Sequence, residues 1–253
     1  MAIVAKDNEI LGDDLFGQTD LYALAAEMEA EWDAREPAPK WDVMGTRSRY
    51  KAMESFLCCL YEPYRRVCAE EGYIEVRAIG GRNPLSYWVK MADFYANTKH
   101  VCKALYQWAD CVNKEGADIY VGVLPRQKQI GKAESVRFAA WLWADLDFKI
   151  GGESAVQSGI AAVGTPQVIV HSGGGLHAYW RLSKGQDFQN GDSEAFRRKL
   201  GKFQQIVLPG GDNVADLPRV LRLPGFKNIK RNAMVMLCEC PPEFFYKERS
   251  HGN

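Results

Sequence analysis

No stretch of this 253-residue chain reaches the ~20 consecutive apolar residues of a membrane helix, and its start lacks a basic-then-apolar leader. The expectation is a cytoplasmic protein with no membrane partner. G-x-x-x-x-G-K-[ST] is absent, which excludes a P-loop nucleotide hydrolase. None of the seven cysteines forms a C-x-x-C pair or a Cys/His zinc spacing, so they read as reduced thiols used in packing. The "CEC" of 238–240 reads as a strand end rather than a metal site. Internal repeats and low-complexity tracts are missing too, so what remains is one ordinary globular chain, 47% apolar and 25% charged.

Net charge is also missing, but the zero is a sum of unlike parts. Residues 1–36 hold ten acids and two bases. From Leu217 to Cys238 no acid occurs, while Arg219, Arg222, Lys227, Lys230 and Arg231 supply positive charge. A local basic surface of that kind is the footprint of phosphate contacts.

Along the chain, residues 1–17 read as loose, Asp20–Arg35 as an amphipathic helix with an acidic outer face, and 36–40 as a proline linker. A second helix is expected from about Arg49 to Glu71, ending at Gly72. Strands follow at 73–79, 118–126, 137–148, 219–224 and 233–240, with two more around a glycine turn in 167–182. Helices are expected at 87–114 and 192–207. Mixed elements without a strict βαβ rhythm predict an α+β fold, with helices on one face of a sheet. The expected division is a helical N-terminal extension over 1–72 and a catalytic core over 73–253.

Three stretches carry the chemistry. "WADLDFK" closes an apolar strand with Asp145 and Asp147, which alternation puts on one face with Trp141 and Trp143 behind them. Two carboxylates so placed call for a cation, and oxygen ligands suit Mg²⁺ or Mn²⁺ with positions left for water and phosphate. "HSGGGLHAYWRL" offers Gly173 and Gly174 for close backbone approach to an anion, then His177, Tyr179 and Arg181 on one strand face. "DLPRVLRLPGFKNIKR" places Asp216 before Arg219 and Arg222, then a proline-glycine turn, then Lys227, Asn228, Lys230 and Arg231. Taken singly, each has a bland reading as strand end, hairpin or solvated loop.

In this order the three stretches resemble the archaeo-eukaryotic primase superfamily, in particular its primase–polymerase and RepB-like plasmid or phage members. The match is D-x-D at 145–147, S-G-G-G-x-H at 172–177 and an acid followed by R-V-L-R-L-P-G-x-x-N-x-K from Asp216 to Lys230; Phe226 stands where many relatives have threonine. The upstream "EVRAI" and "VGVLPR" also resemble strands of that core, so the likeness covers roughly residues 73–240. It implies a palm with an RNA-recognition-like sheet. Asp145, Asp147 and Asp216 would hold two divalent metals, Mg²⁺ or Mn²⁺. Ser172, Gly173, Gly174, His177 and Arg222 would meet the nucleotide's phosphates. Arg219, Lys227, Asn228, Lys230 and Arg231 would take the template.

The implied activity is template-directed nucleotidyl transfer in a plasmid or phage replication system: a DNA primase, a primase-polymerase, or both. Its partners would be single-stranded DNA, NTPs or dNTPs, and a separate helicase or replication protein, since no P-loop is present. A D-x-D glycosyltransferase is the main rival, but it has no use for the acid-free basic stretch. A non-catalytic nucleic-acid binder is the second.

Overall fold

The computed structural model describes residues 49–68, 70–81, 85–189 and 191–244. The expected acidic helix and linker lie outside them. Helix α1 (Arg49–Tyr61) is followed by strands β1 (Tyr73–Gly80) and β2 (Leu85–Lys90). Next come helices α2 (Met91–Ala96) and α3 (Thr98–Lys114) and strand β3 (Ala117–Gly122). Then follow β4 (Phe138–Asp147), α4 (Gly152–Val163), β5 (Val168–His171), β6 (Gly175–Asp187) and α5 (Ser193–Val207). Four short strands follow: β7 (Val220–Arg222), β8 (Lys227–Asn228), β9 (Ala233–Met234) and β10 (Met236–Glu239).

The fold is α+β, but it holds two four-stranded sheets where a single sheet was expected. Their orders are β2-β1-β3-β7 and β10-β5-β6-β4, with β8-β9 as a small separate ladder, and every pairing is antiparallel. In the first sheet Ile74, Val76, Ala78, Ile119 and Val121 are buried, and α3 packs on β1 and β3. In the second, α4 and α5 pack on β4, with Trp180 edge-on to Phe203 of α5 at 4.9 Å.

Helix α1 joins the two sheets. Its Leu60 carbonyl accepts from Trp141 Nε1 of β4 at 2.9 Å, Phe56 packs against Tyr179 of β6, and the Tyr61 hydroxyl donates to the Gly122 carbonyl of β3. Met53, Phe56, Leu57 and Leu60 are wholly buried in the same core as both sheets. The described part of the expected N-terminal extension is thus packed into that core.

Helix α1 ends at Tyr61, well short of its expected end at Glu71, and two further elements depart from the expected ones. The helix expected over 87–114 starts late, because Leu85–Lys90 pairs with β1 from Ala78 to Tyr73 as an edge strand. Its β-branched and aromatic residues favour that pairing. Helix α4 fills a stretch assigned no element. Glycines bracket it, with Gly151 and Gly164 at positive φ as its caps. Gly159 inside it leaves no room for a Cβ against the Val207 carbonyl of α5, so glycine there marks close helix packing rather than a break.

Candidate active site

The site forms where the second sheet's β4–β6 pair faces the β3–β7 edge of the first sheet. Asp145 of β4 lies opposite His177 of β6, and Asp147 lies opposite Gly175. Opposite residues of an antiparallel pair share a face, so Asp145, Asp147 and His177 project together. His177 Nε2 stands 3.7 Å from Asp145 Oδ1, and the imidazole is buried while the carboxylate is about one-third exposed. Burial holds the His177 pKa below its ordinary value against the pull of Asp145, and nearby Arg222 and His171 lower it further. The imidazole is therefore neutral near pH 7. Its Nδ1 is buried with no hydrogen-bond partner among the described residues.

Arg222 arrives from the other sheet, on β7, opposite Tyr120 of β3. Its guanidinium carbon lies 5.0 Å from the Tyr120 ring centroid, a cation–π distance. Asp118 Oδ2 accepts from Arg222 Nη2 at 3.0 Å, while Arg222 Nε is buried and unpartnered among the described residues. Burial raises the Tyr120 and Tyr179 pKa values, and the Asp145 charge adds to both shifts. The Tyr179 hydroxyl is also buried without a partner. Four strands thus gather Asp145, the neutral imidazole of His177, and the Arg222 guanidinium with its partner Asp118 around unsatisfied polar atoms. Such groups are normally bonded in a folded protein, so their convergence marks a place for a polar ligand.

The glycine turn is built from within. Gly173 sits at φ +93°, a conformation that favours glycine. Ser172 donates both its backbone N–H (2.9 Å) and its hydroxyl (3.0 Å) to the Gly175 carbonyl, and the Gly173 N–H points at His171 Nδ1 at 3.3 Å. Ser172, expected on a phosphate, therefore shapes the turn. The basic loop is braced against it: Asn228 Nδ2 donates to the Ser172 carbonyl at 2.7 Å, and Asn228 Oδ1 accepts from the Arg231 N–H at 3.1 Å. Gly174 lies against the Arg231 guanidinium. Asn228, expected among the template contacts, is instead buried at 3% exposure. Lys227, Lys230 and Arg231 are exposed. Phe226 is buried against Tyr106.

Asp216 stands apart from the other two acids in its bonding. Its Oδ1 accepts from Arg219 Nε at 2.6 Å, and the two side chains form an ion pair. Among the described residues no three His, Cys, Asp or Glu side chains come together as a metal cage. Mg²⁺ does not require one, since it is typically held by one or two carboxylates with water and substrate phosphate completing the shell. Asp145 and Asp147 fit that role: both are partly exposed on one face, and Asp147 spends Oδ1 on the Lys149 N–H. Asp216 would have to release Arg219 to join them.

Sequence reasoning missed Asp118, Tyr120 and the buried pair beneath Asp216. Glu75 and Arg126, both at 1% exposure, pair at 3.0 Å, and Arg126 Nη2 donates to the Pro218 carbonyl at 2.9 Å. Arg126 thereby fixes the segment that carries Asp216 and Arg219. The available signal was Glu75 and Arg77 within the otherwise apolar "EVRAI" and Arg126 closing the apolar "VGVLPR".

A family model described as the RepB DNA-primase N-terminal domain matches residues 109–242, a span that takes in all three motif stretches. Among solved structures the chain is similar to the AEP domain of the cyanophage S-2L primase-polymerase, with 14% identity and a TM-score of 0.47, covering 70% of this chain and 84% of that one. It is also similar to the catalytic domain of primase RepB′ in complex with initiator DNA, at 20% identity and a TM-score of 0.46, covering 77% and 86%. A further structure of primase RepB′ shows 18% identity and a TM-score of 0.43, covering 76% and 56%. No curated protein matches the chain.

Proposed function

The chain belongs to the RepB DNA-primase N-terminal domain family and is a DNA primase or primase-polymerase; from that premise we propose a residue-level account of its nucleotidyl transfer. One observation carries it: Asp145, His177 and Arg222 converge from two sheets, leaving His177 Nδ1 and Arg222 Nε buried and unpartnered. A nucleoside triphosphate brings the acceptor oxygens that these groups lack.

In this reading Asp145 and Asp147 hold Mg²⁺ or Mn²⁺, and Asp216 contributes once Arg219 turns to a phosphate. When bound, the metal lowers the pKa of the attacking 3′-hydroxyl and offsets charge on the leaving pyrophosphate. The protein's own groups supply position. Arg222, held from one side by Asp118, gives the triphosphate a fixed positive charge. His177 is kept neutral by burial, and in the tautomer protonated on Nδ1 it donates to a phosphate oxygen. The Ser172–Gly175 turn and Asn228 keep that histidine strand and the basic loop in register. The reaction joins the 3′-oxygen to the α-phosphorus and releases pyrophosphate.

The template is single-stranded DNA, taken by Lys227, Lys230 and Arg231 of the exposed loop, with Arg219 alongside. The setting is a plasmid or phage replication system in which a separate helicase or replication protein opens the duplex. Among the described residues no helix is long and apolar enough to cross a membrane. The glycosyltransferase alternative is set aside by the family match. The test is synthesis on a single-stranded template, with and without primer, using NTPs or dNTPs and Mg²⁺ or Mn²⁺. Metal-dependent products that disappear in Arg222→Ala support the account, and undiminished synthesis by that variant contradicts the triphosphate assignment.

A further inference from the structure

Asp118 stands between two parts of the site that the sequence keeps far apart. On β3 it is partly buried, with 15% of its side chain exposed, and it divides its two oxygens. Oδ2 accepts from Arg222 Nη2 at 3.0 Å, and Oδ1 accepts from the backbone N–H of Ile229 at 2.7 Å. Ile229 lies in the basic loop between Lys227 and Lys230. The neighbouring Asn228 ties that loop to the glycine turn ahead of His177. Asn113 of α3 anchors the same loop from behind, accepting from the Lys227 N–H at 2.9 Å and donating to its carbonyl at 2.9 Å.

The division of labour has a physical reason. Arg222 is only 19% exposed, and a half-buried guanidinium needs a counter-charge in the absence of ligand. Asp118 supplies it at one end and leaves Nε, the unpartnered donor, for a second anion. The backbone bond to Ile229 costs Asp118 nothing toward Arg222, because a carboxylate has two oxygens and about four acceptor sites. One side chain therefore sets both the aim of the triphosphate arginine and the seat of the template loop.

We propose that Asp118 is a positioning residue that couples the nucleotide-phosphate site to the template loop, acting through Arg222 on one side and Ile229 on the other. This rests on the assignment of Arg222 to the triphosphate made above. Asp118→Asn and Asp118→Ala separate the two links. Asparagine keeps a carbonyl oxygen for the Ile229 N–H but loses the charge that holds Arg222, whereas alanine loses both.

The experiment measures nucleotide KM and kcat in primed extension, template Kd by anisotropy of a labelled single-stranded oligonucleotide, and thermal melting. The proteins are wild type, Asp118→Asn, Asp118→Ala, Arg222→Ala and the Asp118→Asn/Arg222→Ala double variant. Asp118→Asn is expected to raise nucleotide KM roughly tenfold, the scale of one charge-assisted hydrogen bond, with template Kd within about twofold of wild type. Asp118→Ala is expected to raise both. In the double variant KM should be no worse than in Arg222→Ala, because the two groups act as one unit. If Arg222→Ala raises KM while Asp118→Asn does not, or if their effects simply add, the coupling role is overturned and the Arg222 assignment stands. If Arg222→Ala leaves KM unchanged, the triphosphate assignment itself fails and takes this inference with it. Should Asp118→Ala fail to fold, Asp118→Asn and the double variant still decide the outcome.

Discussion

Replacing His177 with alanine should damage nucleotide use far more than template binding. The imidazole is buried, 2% exposed, beside Asp145 and with Nδ1 unpartnered. A contact from that nitrogen to a charged phosphate oxygen contributes about 1.5–3 kcal/mol. Its loss lowers kcat/KM by roughly ten- to hundred-fold, since ~1.4 kcal/mol corresponds to a factor of ten. The template contacts lie on the loop carrying Lys227 and Lys230, so template Kd should stay within about twofold. Deleting a buried ring also leaves a void, and His177→Gln is the better-packed companion variant. Steady-state kinetics over a range of nucleotide concentrations, paired with template titrations at two salt concentrations, give both quantities. A His177→Ala protein that keeps its nucleotide kinetics but loses template binding would refute the placement of the triphosphate.

The same histidine predicts a pH effect. Its folded pKa lies below the ordinary ~6.5, chiefly through burial, so the unfolded chain takes up the proton more readily. Stability should fall as pH drops below about 6.5 toward the depressed folded value, and His177→Gln should flatten that fall; an unchanged profile contradicts the buried neutral assignment, with His171 supplying the remainder. Arg126→Ala leaves the buried Glu75 with only Arg77, on its other oxygen, and the Pro218 carbonyl without its donor, and should cost about 3 kcal/mol in denaturant unfolding, the low end for a broken buried pair. A cost below about 1 kcal/mol would show that the pair does not anchor the Asp216 segment. Removing charge at Lys227 and Lys230 should weaken template binding and flatten the log Kd against log salt plot by about 0.7 per lysine, the single-strand value. An unchanged slope would move the template off this loop.

How far the sequence carried depended on whether a feature was local. Strand β4 and the β5–β6 hairpin were legible, because an apolar run closed by D-x-D, and a glycine turn between a β-branched run and an aromatic-rich one, state their periods directly. The pairing of Asp145 with His177 then follows from alternation once the two strands are joined. Strand β2 was not legible, since what makes Leu85–Lys90 a strand is its ladder with β1 and not its own pattern beside two helices. Helix α4 was hidden by glycines that read as breakers, although Gly159 is there to admit the Val207 carbonyl. The second sheet could not be foreseen either, because strand order depends on pairings between distant segments. Asn228 shows the same limit within the site: its place in a basic loop suggested DNA contact, while its burial makes it a brace between two motifs. Asp118 carried no local signal at all, being one acid in a strand whose partner, Arg222, comes 104 residues later.

The most direct test of the account is extension of a labelled primer on single-stranded DNA by wild type, Asp145→Asn and Asp147→Asn, with Mg²⁺, with Mn²⁺ and with chelator. Both carboxylates lie on one partly exposed strand face, so neither substitution should disturb folding, and melting temperatures near wild type would establish that. The account predicts metal-dependent extension by wild type and a loss of at least about a hundredfold in each variant. Extension at the wild-type rate by folded Asp147→Asn, or by wild type in chelator, would contradict it.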